Sequence, residues 1–142
     1  MALLFDTDAI SEVLRPKPSE LYMAWLRTIA VDEQVTTAIT VGELYWGAYR
    51  SAAARERHLR KIEEALLPAL RVLPFDAKAA KQFGELKALL DNQGTPLADA
   101  DLQIASIALA EGHELVTGNL RHFSRIPGLR INTALAATRP PR

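Results

Sequence analysis

The stretch MALLFDTDAISEVL, residues 1–14, determines the fold that we expect, because its apolar run ends abruptly in Asp6, Thr and Asp8. The apolar run is too short for a signal peptide and has no preceding basic region. It therefore predicts a buried strand over residues 2–5, followed by a short helix over residues 7–14. A strand that ends in two carboxylates raises the question of whether they serve the backbone or a bound ligand.

The rest of the chain repeats this alternation of strand and helix. Further strands, with helices between them, are predicted over residues 35–39, 71–75, 114–117 and 129–131. Short apolar strands separated by helices form parallel sheets that are covered by helices on both faces. The sequence therefore predicts an α/β protein with a short, mainly parallel sheet between helical layers. We expect one domain over residues 1–132 and a flexible C-terminal tail over residues 133–142.

The composition excludes several classes of function. The 142 residues contain no cysteine, which rules out disulfides, thiolate zinc sites and cysteine nucleophiles and fits a cytoplasmic protein. The 17 basic residues balance the 17 acidic ones, so bulk charge does not favour non-specific binding of nucleic acid. No apolar run approaches the roughly 20 residues that span a bilayer, and we expect no membrane partner.

Oxygen-bearing side chains recur where the predicted strands end. Asp6 follows the first strand, Glu43 the second, and Asn119 the fourth, while Asp101 lies in the first turn of a strongly apolar helix. Parallel sheets bind ligands outside the carboxyl ends of their strands, so these side chains should converge there. An all-oxygen set suits a hard cation such as Mg²⁺ or Mn²⁺, and Asp99 adds a further acid nearby.

A purely structural interpretation exists for each acid. Thr40 and Glu43 have the spacing of a capping box, in which the Glu43 carboxylate returns to the Thr40 amide. Asp6, Asp99 and Asp101 each have a position that suits a helix cap or a first-turn acid. Asp101 discriminates best between the two interpretations, because it precedes a run that should be deeply buried.

Three segments resemble a known family in order and spacing. They are LLFDTDAISEVLRP, TTAITVGELYWGA and GTPLADADLQIASIALAEGHELVTGNLRHFSRIPGLRI. Together they resemble PIN-domain proteins of the VapC and FitB type, the toxin components of bacterial toxin–antitoxin pairs. The resemblance implies a PIN-like three-layer fold over residues 1–132. The usual opening D-T-N is D-T-D here, which places Asp8 where the family has a neutral amide.

The resemblance also implies an activity and a set of site residues. The activity is that of an endoribonuclease that depends on Mg²⁺, with Mn²⁺ as a substitute. The catalytic residues would be Asp6, Glu43, Asp101 and Asn119. The metal would be bound by Asp6 and Asp101, and by Glu43 directly or through a water. Asp99, which is a departure from the family pattern, is an additional candidate.

The partners that the resemblance implies are an RNA substrate, a small cognate antitoxin protein and a second copy of the chain in a homodimer. Operator DNA would be bound only through the antitoxin. The alternative is a non-catalytic PIN-like module that binds a partner protein and, through it, operator DNA. In that case the acids would hold a structural cation or cap helices.

The short helices near the first two strands contain more aromatic surface than their own packing needs. The residues concerned are Leu21, Trp25, Tyr45, Trp46 and Tyr49. Such side chains suit a groove that accepts an amphipathic helix. We therefore predict that the aromatic residues are partly exposed in the isolated chain and covered by the antitoxin.

Overall fold

The computed structural model describes residues 2–139 and has a five-stranded sheet at its centre. The strands, in chain order, are β1 (Leu3–Phe5), β2 (Gln34–Thr37), β3 (Arg71–Leu73), β4 (Glu114–Val116) and β5 (Ile131–Asn132). Their order across the sheet is β3-β2-β1-β4-β5, and all four pairings are parallel. The predicted α/β fold with a parallel sheet is confirmed.

Helices connect the strands. They are α1 (Thr7–Leu14), α2 (Glu20–Leu26), α3 (Ala38–Tyr49), α4 (Arg55–Arg60, continued by a π-helical stretch over Lys61–Leu66), α5 (Ala77–Asn92), α6 (Asp99–Glu111), α7 (Leu120–Phe123) and α8 (Ala134–Thr138). None of the helices in residues 2–139 is both long enough and apolar enough to cross a membrane.

The two faces of the sheet bury two separate apolar clusters. Successive side chains of a strand point to opposite faces, so Leu4 packs with α5 and α6, whereas Phe5 packs with α1, α2 and α8. Helix α6 is buried on nearly every side from Leu102 to Ala108, as its uninterrupted apolar run predicts. The sheet therefore forms the middle of three layers.

The second strand is shorter than the sequence predicts. It ends at Thr37 rather than at residue 39, because the Thr37 hydroxyl accepts a hydrogen bond from the Thr40 amide (3.1 Å) and starts α3. The fifth strand also begins two residues late, at Ile131, after a turn at Gly128, where φ is +77°.

The C-terminal residues differ from the flexible tail that the sequence predicts from residue 133. Residues 134–138 form α8, whose Leu135 is fully buried in the cluster with α1 and α2. A short helix among small residues has too little periodicity to be recognised from sequence, and tertiary packing stabilises it. Residues 140–142 of the predicted tail lie outside the described residues.

Candidate active site

A cleft of about 520 Å³ opens at the carboxyl ends of the central strands. Strand β2 lies on one side of β1, and β4 lies on its other side. The direction in which strands are added to the sheet therefore reverses at β1, and the cleft lies at this topological switch point. Its lining includes the four residues that were predicted to be catalytic, Asp6, Glu43, Asp101 and Asn119. Strand ends from distant parts of the chain bring these side chains together.

Asp6 is the most buried of the four, with 4% of its surface exposed. It caps α1, since its Oδ1 accepts a hydrogen bond from the Ala9 amide at 2.8 Å. Burial raises the pKa of the Asp6 carboxyl to about 7; hydrogen bonds from Thr117 and Ala9 oppose this rise, and the charges of Asp8 and Asp101 add to it. The cap is real, but the surrounding negative charge makes Asp6 an unfavourable choice for a cap alone.

Glu43 does not form the predicted capping box. Helix α3 starts at Ala38 with Thr37 as its N-cap, so both Thr40 and Glu43 lie within the helix. Instead, the Thr7 hydroxyl donates to Glu43 Oε1 at 2.5 Å and lies 3.2 Å from the Thr40 hydroxyl. Glu43 is therefore held at the cleft by α1 and not by its own helix.

Asp101 is also not a helix cap. The N-cap of α6 is Ala98, which makes no side-chain capping bond, and Asp101 is the third residue of the helix. Burial raises the pKa of the Asp101 carboxyl, the charge of Glu43 raises it further, and His122 lowers it. Asp101 and Glu43 are thus close enough to repel each other across the cleft.

The structure does not bring Asp99 into the cleft. Its Oδ1 accepts a hydrogen bond from Lys87 Nζ at 2.6 Å on the surface, where both side chains are largely exposed. Because the residues of a helix are spaced at about 100°, positions 99 and 101 point in different directions. Asp99 forms a surface ion pair with α5, and the cleft contains Asp101 without it.

Asn119 lies directly after β4 and before α7. Its Nδ2 is 2.8 Å from His122 Nδ1, and its backbone amide donates to the Thr117 hydroxyl at 3.0 Å. The amide side chain is thereby fixed at the rim of the cleft. His122 of α7 is therefore connected to the site through Asn119 and through the charge of Asp101.

A further ion pair lines the cleft, and sequence reasoning missed half of it. Arg139 Nη1 donates to Asp8 Oδ1 at 2.6 Å and lies 3.9 Å from Glu12 Oε1. Gly118 leaves the space for this pair, because a Cβ there would overlap Arg139 Nη2 and Asp8 Oδ2. The only signal in the sequence was the unusual acid at position 8, whose charge calls for a basic partner.

The chemistry of the donors suits a hard cation. Carboxylates, an amide and hydroxyls line the cleft. Burial, and after it the charges of neighbouring acids, raises the pKa values of Asp6 and Asp101, and a bound cation would favour the charged form of both carboxylates. Over residues 2–139, however, no three His, Asp or Glu side chains lie together in a group that could hold a metal ion. The residues fit a cation by type and charge, in an open cleft.

A second groove of about 470 Å³, lined by apolar side chains and by four Lys or Arg residues, continues from the cleft and shares Thr7, Ser11 and Glu43 with it. Trp46 and Tyr49 are 63% and 55% exposed, and the Arg50 guanidinium lies 4.1 Å from the centre of the Trp46 ring. Trp25 packs beside Tyr22 and Phe5 and is only partly exposed. The predicted partial exposure of the aromatic residues is confirmed; their burial by a partner stays a prediction.

Several known proteins resemble this chain in sequence. The sequence model of the PIN domain matches residues 3–129. The chain is 35% identical over 127 residues to Ribonuclease VapC2 of Haemophilus influenzae, covering 89% of this chain and 93% of that protein. It is 35% identical over 117 residues to Toxin FitB of Neisseria gonorrhoeae, covering 80% and 83%.

The fold comparison agrees. A crystal structure of VapBC2 from Rickettsia felis, bound to a DNA fragment from their promoter, superposes with a TM-score of 0.84 and 29% identity. The match covers 93% of this chain and 98% of that one. The sequence comparison and the fold comparison thus point to the same group of proteins.

Proposed function

The chain belongs to the PIN-domain family, among its VapC- and FitB-type members, and on that premise we propose that it is the toxin ribonuclease of a toxin–antitoxin pair. It hydrolyses phosphodiester bonds within RNA in a reaction that depends on Mg²⁺, or on Mn²⁺ in its place. The observation that carries the proposal is the meeting of Asp6, Glu43, Asp101 and Asn119 in one cleft.

Asp6 and Asp101 are the proposed ligands of the cation, with Glu43 binding it directly or through a water. When bound, a divalent cation lowers the pKa of a coordinated water and stabilises negative charge on the scissile phosphate. Asp6 is positioned by the α1 amide and Asp101 by the rigid, buried helix α6. Neither carboxylate lies on a long loop, but over residues 2–139 the acids do not form a group that could hold a metal ion, so cation binding requires their side chains to move closer together.

Glu43 is the proposed residue that orients the attacking water. The Thr7 hydroxyl donates to Glu43 Oε1, which leaves Glu43 Oε2 to accept a hydrogen bond from the attacking water. Asn119 is the proposed contact to the substrate at the rim, where His122 fixes its amide. Hydrolysis by water needs no covalent nucleophile, so the proposed reaction requires only these side chains and the divalent cation.

The second part of the proposal is a partner. We assign this second groove to a helix of a small antitoxin, because Trp46, which lines it, exposes a ring that suits a hot-spot anchor, and Tyr49 of the same helix is exposed as well. A segment seated there would also reach the cleft, since Thr7 and Glu43 belong to both surfaces. DNA binding through the antitoxin is supported by the promoter-bound Rickettsia felis complex. A homodimer remains a prediction, which light scattering of the purified chain tests.

The alternative function is a non-catalytic module that binds a partner and, through it, operator DNA. The exposed groove favours partner binding in either case. The placement of Glu43 and Asp101 favours the nuclease, because neither side chain caps a helix. A module that only binds a partner would use these carboxylates only if they held a structural cation.

Cleavage of total bacterial RNA by the purified chain tests the proposal. We expect RNA fragments in the presence of Mg²⁺ or Mn²⁺, none in excess EDTA, and recovery when the cation is restored. Undiminished cleavage in EDTA would contradict the metal-dependent mechanism. No cleavage with either cation, together with a stable antitoxin complex, would favour the non-catalytic alternative.

A further inference from the structure

Arg139 is firmly anchored beside the cleft although it lies near the end of the chain. Its backbone amide donates to the Leu135 carbonyl at 2.9 Å, and the Leu135 side chain is fully buried. The neighbouring Thr138 carbonyl accepts a hydrogen bond from the Ser19 hydroxyl at 2.7 Å. Helix α8 is thus attached to α2, and it holds Arg139 at a defined position.

The guanidinium of Arg139 is directed into the cleft. Its Nη1 pairs with Asp8 at 2.6 Å, and only 17% of the side chain is exposed. The absence of a side chain at Gly118 allows this approach, because a Cβ there would lie 2.9 Å from Arg139 Cζ and closer still to Nη2. A residue at the carboxyl end of β4 therefore makes room for a residue 21 positions further along the chain.

The charge around Arg139 indicates what else it binds. Among the described residues that line the cleft there are four carboxylates, Asp6, Asp8, Glu43 and Asp101, and a single Lys or Arg, which is Arg139. A polyanion that approaches four carboxylates needs a cationic contact. A guanidinium has five N–H donors in a planar fork, so it can bind a carboxylate at one edge and a phosphate at another.

We propose that Arg139 binds a phosphate group of the RNA backbone at the rim of the acidic cleft, and that Asp8 and Gly118 hold its guanidinium in place. This inference rests on the proposed nuclease function and adds a substrate-binding residue to it. Helix α8 and Arg139 lie beyond residue 129, where the match to the PIN domain ends. The C-terminal segment of this chain therefore completes the site.

A simpler role for Arg139 is to neutralise Asp8. Under that role, removing Arg139 would weaken RNA binding only because Asp8 is left as an uncompensated negative charge. Removing both partners would then restore binding, since the charge of the cleft returns to its original value. Under the proposal, the double variant stays weak because the phosphate contact is missing. The double variant D8N/R139A separates the two roles.

The experiment measures binding of a short, fluorescein-labelled single-stranded RNA of random sequence by fluorescence anisotropy, in EDTA so that no hydrolysis occurs. The proteins are the wild type, R139A, R139K, D8N/R139A and R130A. Arg130 provides a matched control, because its Nη2 contacts the Gly112 carbonyl near the start of β4, at the opposite edge of the sheet. Thermal melting of each variant identifies effects that come from folding.

We expect R139A and D8N/R139A to bind about tenfold more weakly than the wild type, the equivalent of one charge-assisted contact. For both variants, the slope of log Kd against log salt concentration should be smaller by about 0.7, the value expected when one phosphate contact to a single strand is lost. R139K should retain most of the affinity because it keeps the charge, and R130A should bind like the wild type.

Wild-type affinity of D8N/R139A would overturn the inference, as would an equal loss in R130A or no binding of this RNA by the wild type. Hydrolysis of total bacterial RNA by the wild type with Mg²⁺ is measured separately. If the wild type hydrolyses RNA but RNA binding does not depend on Arg139, only the proposed role of Arg139 is contradicted. Binding that depends on Arg139 without any hydrolysis contradicts only the nuclease.

Discussion

Two helix starts in this molecule contain the same arrangement of acids, and they use it differently. Helix α1 is preceded by Asp6 and contains Asp8, while α6 contains Asp99 and Asp101. In each pair one carboxylate lines the cleft deep at the strand ends, and the other forms an ion pair with an N–O distance of 2.6 Å. At α6, however, the ion pair lies on the surface, whereas at α1 it lies inside the cleft.

The comparison shows that the N–O distance of an ion pair does not indicate how much the pair contributes to stability. The side chains of Lys87 and Asp99 are 44% and 62% exposed, so water already solvates both charges and the pair contributes little. Those of Arg139 and Asp8 are 17% and 34% exposed, and Arg139 is packed against Gly118. Breaking the second pair leaves a poorly solvated carboxylate beside three others.

The largest effect on RNA cleavage should come from substituting Asp6, one of the two acids at α1. Asp6→Asn should reduce RNA cleavage at least about 100-fold, because several kcal/mol of charge stabilisation depend on this carboxylate. Asparagine still accepts the Ala9 amide bond, and loss of a repelled charge should leave the melting temperature of the metal-free protein unchanged or higher.

The matched control is Asp8→Asn, which should retain cleavage within about tenfold, since Asp8 acts only through Arg139. Cleavage is measured on total RNA, and stability by circular dichroism. Equal losses of cleavage in the two variants would mean that the acids at α1 have no separate roles.

A smaller effect should appear in stability when the basic partners are removed. Arg139→Ala should lower the unfolding free energy by about 1–2 kcal/mol, or roughly 3–8 °C in melting temperature, because it leaves Asp8 unpaired in the cleft. Lys87→Ala should leave the melting temperature unchanged, because both members of that pair are exposed. Thermal melts at low and high salt measure both. Similar shifts for the two variants would contradict the distinction between the pairs.

A still smaller change in stability should accompany Gly118→Ala. The new Cβ would displace the Arg139 guanidinium and the Asp8 carboxylate, which are the ends of flexible side chains and can move aside. We therefore expect a smaller loss of melting temperature than for Arg139→Ala, together with RNA binding that is reduced towards that of R139A. Unchanged RNA affinity in this variant would show that the position of Arg139 is not critical.

The sequence predicted the main features of the fold and of the cleft because both depend on local patterns. Short apolar strands alternating with helices specify a parallel sheet, and acids at strand ends then have to share one edge. Asp6, Glu43 and Asp101 were assigned to this edge without any long-range information. Helix α6 likewise ends at a local signal, Gly112, whose φ is +71°.

What could not be predicted depends on contacts between distant positions. Arg139 pairs with Asp8 across 131 residues, from a five-residue helix that has no apolar periodicity to reveal it. The spacing of Thr40 and Glu43 matched a capping box, but Thr37 started the helix earlier, and Thr7 of another helix bound the freed carboxylate. Asp99 stayed an additional candidate in the sequence analysis, because its ion pair with Lys87 joins two helices that are separate in the sequence.

The most direct test of the account compares Asp101→Asn with Asp99→Asn in the same cleavage assay on total bacterial RNA with Mg²⁺. The two substitutions remove the same charge from the same turn of α6, and neither side chain caps the helix. We predict that D101N loses RNA cleavage while its metal-free melting temperature holds or rises, and that D99N cleaves RNA like the wild type. Wild-type cleavage by D101N, or a loss of cleavage that merely follows unfolding, would contradict the assignment of the cleft as the active site.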